Sequence, residues 1–186
     1  MLAGGLVVGV GTMATLASWN DTEYVGASFV AGAFNLQGST DQTTFGDHAQ
    51  APQTGALAFT APVGALTPGD TVYAGYALRL DKTSTNAGKV TVSTPASTGT
   101  VTDISYTLFT TKSAGCSAAA DAVVTVVPAG TPLGSADAAQ TFTVAKPADA
   151  STDGAPTYLC FKITAGGGLQ QGQHGTATWL FTATSI

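Results

Sequence analysis

The sequence predicts an all-β protein, a single jelly-roll-like β-sandwich of about nine strands carried by 186 residues. Three observations predict it. Apolar residues recur with a period of two, the signature of half-buried strands, and not with the period of about 3.6 that marks helices. Clusters of Gly, Pro, Ser and Asp separate the periodic stretches and favour turns through their backbone preferences. Only 9% of the residues are charged, while there are 23 Gly and Ala and Thr dominate the remainder. Helix-rich domains draw their solvent faces from Glu, Lys, Arg and Leu, which this chain lacks; Thr, β-branched, covers the exposed face of a sheet without charge. At 44% apolar the chain is not disordered, and its length suits one core.

Residues 2–16 (LAGGLVVGVGTMATL) hold no charge, are short for a membrane span, and run into Thr15-Leu16-Ala17. That pattern is a signal-peptide h-region cleaved after Ala17. The basic start expected before it is missing, since Arg79 is the first Lys or Arg. The alternative keeps residues 6–16 as a Gly-rich apolar strand. The domain division is therefore 1–17, signal peptide h-region or retained N-terminal donor segment, and 18–186, a single β-sandwich domain.

Strands follow at 24–36 and 56–60. In the next, Val72, Ala74, Tyr76, Leu78 and Leu80 form an apolar face opposite Tyr73, Gly75, Ala77 and Arg79. Further strands fall at 89–93, 104–110, 123–127 and 141–145. In 158–164, Leu159, Phe161 and Ile163 share one face, so Cys160 points the other way. The last strand alternates Ala177, Trp179, Phe181 and Ala183 with Thr176, Thr178, Leu180, Thr182 and Thr184. Turns are expected at Thr67-Pro68-Gly69-Asp70, at Asn86-Ala87-Gly88, and over 95–99, 128–134 and 148–156. The helix-compatible stretch 117–122 is too short to stand as a helix.

Cys116 and Cys160 are an even pair with no CxxC and no Cys/His cluster, which predicts one disulfide in an oxidising compartment. Two unrelated buried thiols are the alternative. The bridge closes a loop of about 45 residues, worth roughly 4 kcal/mol before strain, and it pins the loop 112–120 to the outside of the sheet.

A net charge of -5 and a pI near 4.5 provide no basic patch for phosphates or anionic membranes. His48 and His174 are the only histidines, without a second His or Cys at metal spacing. HExxH, GxSxG and P-loop patterns are absent. Asp47-His48 reads as a solvated turn, the acidic residues are scattered singly, and no Ser, Thr or Cys has an evident base partner. Asn20-Asp21-Thr22 matches the N-glycosylation tripeptide, a weak signal beside the cleavage site. The expectation is a protein without enzymatic activity, cofactor or metal.

The run Ala14-Thr15-Leu16-Ala17-Ser18-Trp19-Asn20-Asp21-Thr22-Glu23, followed by Phe29-Val30-Ala31-Gly32-Ala33-Phe34-Asn35-Leu36, resembles the start of the TasA/camelysin family of exported bacterial proteins with SipW-type signal peptides. Leu66-Thr67-Pro68-Gly69-Asp70 resembles that family's turn before a long strand, and residues 172–183 resemble the final strand of actinobacterial members. Together these motifs touch about a quarter of the chain. The missing basic start and the cysteine pair depart from the family pattern.

The resemblance implies a jelly-roll subunit of extracellular biofilm-matrix fibres, exported by the general secretory route and polymerised head to tail by donor-strand complementation. The donor falls between Leu6 and Phe29, either the apolar segment carrying Leu6, Val8, Val10 and Leu16, or the new N-terminus carrying Trp19, Tyr24 and Phe29. An ordinary edge strand of its own domain is the other use for these residues. The expected partner is a second copy of the chain, with an accessory or anchoring matrix protein, and no nucleic acid or membrane in the mature form. A monomeric secreted adhesive or carbohydrate-binding module on the same sandwich is the alternative, with Tyr73 as its one exposed ring. No wall-sorting signal or lipobox is seen, and the chain ends Thr184-Ser185-Ile186, so covalent wall anchoring is not expected. A surface of Thr, Ser, Ala and Gly suits subunits that pack with little charge repulsion.

Overall fold

The computed structural model describes residues 23–48, 55–99, 101–136 and 139–186. Its compact body is Gly32–Ile186, and the segment before Gly32 is a separate unit. Among the described residues eight strands form: β1 (Leu36–Ser39), β2 (Thr71–Leu80), β3 (Gly88–Gly99), β4 (Ile104–Thr111), β5 (Ala122–Pro132), β6 (Phe142–Val144), β7 (Thr157–Ala165) and β8 (Gly175–Ser185). They make two antiparallel sheets, β1-β2-β7-β4-β5 and β6-β3-β8, and the all-β sandwich read from the sequence is what forms.

The core lies between the sheets and is built from the period-two faces. Val72, Leu78 and Leu80 of β2, Leu159, Phe161 and Ile163 of β7, and Tyr106 and Leu108 of β4 are buried opposite Val90, Val92, Phe142 and Val144 of the smaller sheet. Aromatic rings tie the layers together: Phe161 to Trp179 at 4.8 Å, Tyr106 to Trp179 at 5.5 Å and Tyr76 to Phe181 at 5.6 Å between centroids.

The strand expected at 24–36 forms only at its end, as β1. Residues 23–32 make no strand, because alternation marks a segment fit for a sheet without supplying a partner strand. The strand expected at 56–60 reduces to a single bridge, Phe59 to Ala74, before Pro62 leads into a 3-10 turn at Val63–Ala65. Two strands run further than expected. β3 passes through Pro95 by a register shift between Ser93 and Ala96. β5 carries Pro128 and Pro132, which it tolerates because it pairs with β4 alone. The stretch 117–122 holds a turn, with the Ala120 amide donating to the Ser117 carbonyl, and no helix. The expected turn at 67–70 is present, with Gly69 at φ 93° and the Asp70 carboxylate accepting from the Thr67 amide and hydroxyl. These two bonds hold that carboxyl below its ordinary pKa.

Cys116 and Cys160 are joined in a disulfide, with their Cα atoms 5.1 Å apart. Cys160 points away from the core face, as its alternation requires, and is fully buried beneath the loop that Cys116 anchors. Gln42 completes that cover. Its amide donates to the carbonyls of Tyr76 and Leu159 at 3.1 and 3.4 Å and accepts from the Gly115 amide at 2.6 Å. Gly75 makes the fit possible, since a Cβ there would lie 2.8 Å from the Gln42 amide.

Candidate interaction groove

The two sheets are unequal. With neighbouring strands about 4.8 Å apart, five strands exceed three in width by roughly 10 Å, so part of the larger sheet faces no strand. An edge strand also exposes unpaired N–H and C=O groups, which proteins manage by shortness, proline, charge or cover.

Three of the four sheet edges here are managed. At β1, Gly38 and Gly46 exchange two backbone hydrogen bonds of 3.0 Å, so the turn after β1 covers its outer side. β5 carries its two prolines, and the Gln140 amide donates to the Val126 carbonyl. β6 is only three residues long. β8 is different: it has 11 residues, GTATWLFTATS, without proline or charge, and among the described residues it pairs only with β3.

Beside β8 lies a groove of about 580 Å³. Its floor and walls are Phe34, Leu36, Phe59, Tyr76, Trp179 and Phe181, with the β8 residues 177–183 along one side. These six side chains pack against the buried core yet remain partly accessible. The groove is therefore the open flank of the core itself. Local geometry shapes it: the Tyr76 hydroxyl lies where a Cβ on Gly38 would stand, so a side chain at Gly38 would displace the Tyr76 ring. Burial raises the Tyr76 pKa and keeps the phenol protonated. The Trp179 indole N–H is buried and has no hydrogen-bond partner among the described residues. Among the described residues, no Lys, Arg, Asp or Glu lines the groove. His48 stands exposed at its rim, on a turn where the Asn35 side chain donates from Nδ2 to Asp47 Oδ1 at 3.1 Å. His174 sits in the turn just before β8.

Of the residues expected to polymerise the chain, Leu6, Val8, Val10, Leu16 and Trp19 lie outside the described residues. Tyr24 and Phe29 are described and belong to a segment without a strand assignment, with exposures of 92% and 93%. Val25 and Val30 are similarly bare, at 98% and 90%. The groove was not foreseen. Its one legible signal is the apolar row Ala177, Trp179, Phe181 and Ala183; periodicity places a residue on the inner face but does not reveal whether that face is covered.

Comparison with protein-family models and with curated proteins returns no match. Among the described residues no helix is long and apolar enough to cross a membrane, and the disulfide is compatible with an extracellular protein.

Proposed function

We propose that this chain is a structural subunit of an extracellular filament or biofilm-matrix fibre, in which an N-terminal segment of one copy adds to the β6-β3-β8 sheet of the next. The observation that carries the proposal is the unguarded β8 edge beside an uncharged apolar groove. The same chain carries a match for it: residues 24–31 (YVGASFVA) are uncharged, rich in apolar side chains and without a strand partner among the described residues.

The physical return is of two kinds. A strand laid against β8 satisfies its outward backbone groups, each net hydrogen bond contributing about 0.5–1.5 kcal/mol. Large apolar side chains leaving water for the groove contribute about 1.5–3 kcal/mol each. Donor and groove are different surfaces, so the contact is heterologous; it propagates as a filament unless its rotation closes a ring. The resemblance to the TasA/camelysin family, the signal-peptide-like start and the disulfide all favour export of such a subunit.

Electron microscopy of the secreted material tests the proposal. Filaments with a regular axial repeat are expected. Monomers alone, across a range of concentration and pH, would refute it.

A further inference from the structure

Seven β8 residues, 177–183, border the groove. Their inner row runs small, large, large, small: Ala177, Trp179, Phe181, Ala183. Its two rings are already held by others, Trp179 by Phe161 and Tyr106, and Phe181 by Tyr76. In the outer row Leu180 stands between Thr178 and Thr182; it is 48% exposed, and its partner on β3 is the small Ser93. Residues directly opposite on paired strands have Cβ atoms about 4.5–5.5 Å apart. A strand added to β8 therefore packs best when it is small where β8 is large and large where β8 is small. The body itself is built by that rule: a Cβ on Gly88 would lie 2.9 Å from the Phe34 ring, and Gly75 and Gly38 make the same room for Gln42 and Tyr76.

Residues 24–30 (YVGASFV) are the reciprocal of 177–183. Tyr24, Gly26, Ser28 and Val30 run large, small, small, large, and on the other face Ala27 is the small residue between Val25 and Phe29. With Ala27 opposite Leu180, Gly26 and Ser28 meet the two rings, Tyr24 and Val30 meet the two alanines, and Val25 and Phe29 meet the two threonines, flanking Leu180. Ala27 and Leu180 are the midpoints of their stretches, so the match holds for either strand direction. Turning the other face inward fits worse, because Phe29 then meets Trp179 or Phe181 and Ala31 meets an alanine. Shifting that face by two residues brings in either the Glu23 charge or Ala33, whose carbonyl already accepts from the Thr85 amide.

We infer that the strand a second copy adds to β8 is residues 24–30, with Tyr24, Gly26, Ser28 and Val30 turned into the groove and Ala27 on the outer face beside Leu180. The inference rests on the filament reading above and adds the face and the register. The less apolar face goes inward because the rings of β8 already occupy the middle of the site and the room lies over its two alanines. The exposed Leu180 gains cover from Val25 and Phe29, within diagonal reach on the outer face.

The experiment uses two full-length chains, one carrying Ala27→Cys and the other Leu180→Cys, mixed in air-oxidised buffer at a concentration where the unaltered chain forms filaments. Covalent dimers on a non-reducing gel, well above those from either chain alone, are expected from the mixture, and background levels when Ser28→Cys replaces Ala27→Cys. Cross-linking through position 28 as strong as through 27, or through neither, overturns the inference. A second measurement needs no new thiol: Ser28→Leu should raise the concentration required for filaments about tenfold or more, as overpacking does, whereas Phe29→Leu should leave it within about twofold. Equal or reversed effects overturn the assigned face. Failure of the unaltered chain to form filaments refutes the filament reading itself, whereas filaments cross-linked through position 28 leave that reading standing and refute only the face and register.

Discussion

At Cys160 and Phe161, adjacent on β7, the molecule treats its two sides in opposite ways. Over Cys160 the chain closes its own surface with a disulfide-anchored loop and a buried glutamine whose amide makes three hydrogen bonds. Beside Phe161 it leaves aromatic core residues bordering an open groove and a strand that, among the described residues, is paired on one side only. A chain with so little charge has few residues to guard an apolar surface. It covers one flank with local structure and leaves the other in a form that a further strand completes. The closed side should therefore govern the stability of the subunit and the open side its assembly.

Removing the closure should have the largest effect on folding. Replacing both cysteines by alanine releases a crosslink between residues 44 apart and should cost about 4 kcal/mol, read by denaturant unfolding. Filament formation should persist wherever the variant remains folded. A stability change under 1 kcal/mol, or loss of filaments from a still-folded variant, would break the separation of roles.

Gly75→Ala should act on the same flank with less force. Its Cβ would crowd the Gln42 amide, and overpacking at such a position costs about 1–3 kcal/mol. The accompanying signature is faster hydrogen exchange at the Gly115 amide, the group Gln42 accepts. Unchanged exchange there would show that Gln42 does not hold the loop.

The smallest effect is that of acid. The Asp41 carboxylate accepts from the Thr44 amide, the Ser39 hydroxyl and the Thr43 amide, and lies well below its ordinary pKa. Thr67 does the same for Asp70, Thr83 for Asp81 and Ser151 for Asp149. A group whose folded pKa is depressed adds stability above its unfolded pKa and loses it as pH falls toward the folded value. The melting temperature should be level from pH 7 to about 5 and decline below about pH 4. A decline already complete at pH 5 would contradict this assignment to the four carboxylates.

Much of the closed side was legible in the sequence. The alternation of Leu159, Phe161 and Ile163 put Cys160 on the opposite face, and the cysteine pair placed a loop over it. Gln42 was not legible. It lies more than thirty positions from Tyr76 and more than seventy from Gly115, it adopts φ 62°, and no local pattern announces a polar side chain buried by distant contacts. The prolines of β3 and β5 misled for a related reason: whether proline ends a strand depends on the neighbouring strand's hydrogen bonds, which tertiary structure alone decides. The open side was half legible. The inward row Trp179 and Phe181 and the strand-forming character of residues 24–31 could both be read. That the first lacks cover and the second lacks a partner are facts about pairing, and period-two patterning carries no information on pairing.

The central claim, that a neighbour's strand fills the groove, is tested most directly by Trp179. Trp19→Phe leaves Trp179, which lines the groove, as the sole tryptophan of the chain. Emission is followed as the full-length variant is concentrated through the point of filament formation. A blue shift that tracks polymer mass, and that is absent when residues 1–31 are removed, is the expected result. Filaments that grow while Trp179 emission stays unchanged would contradict it.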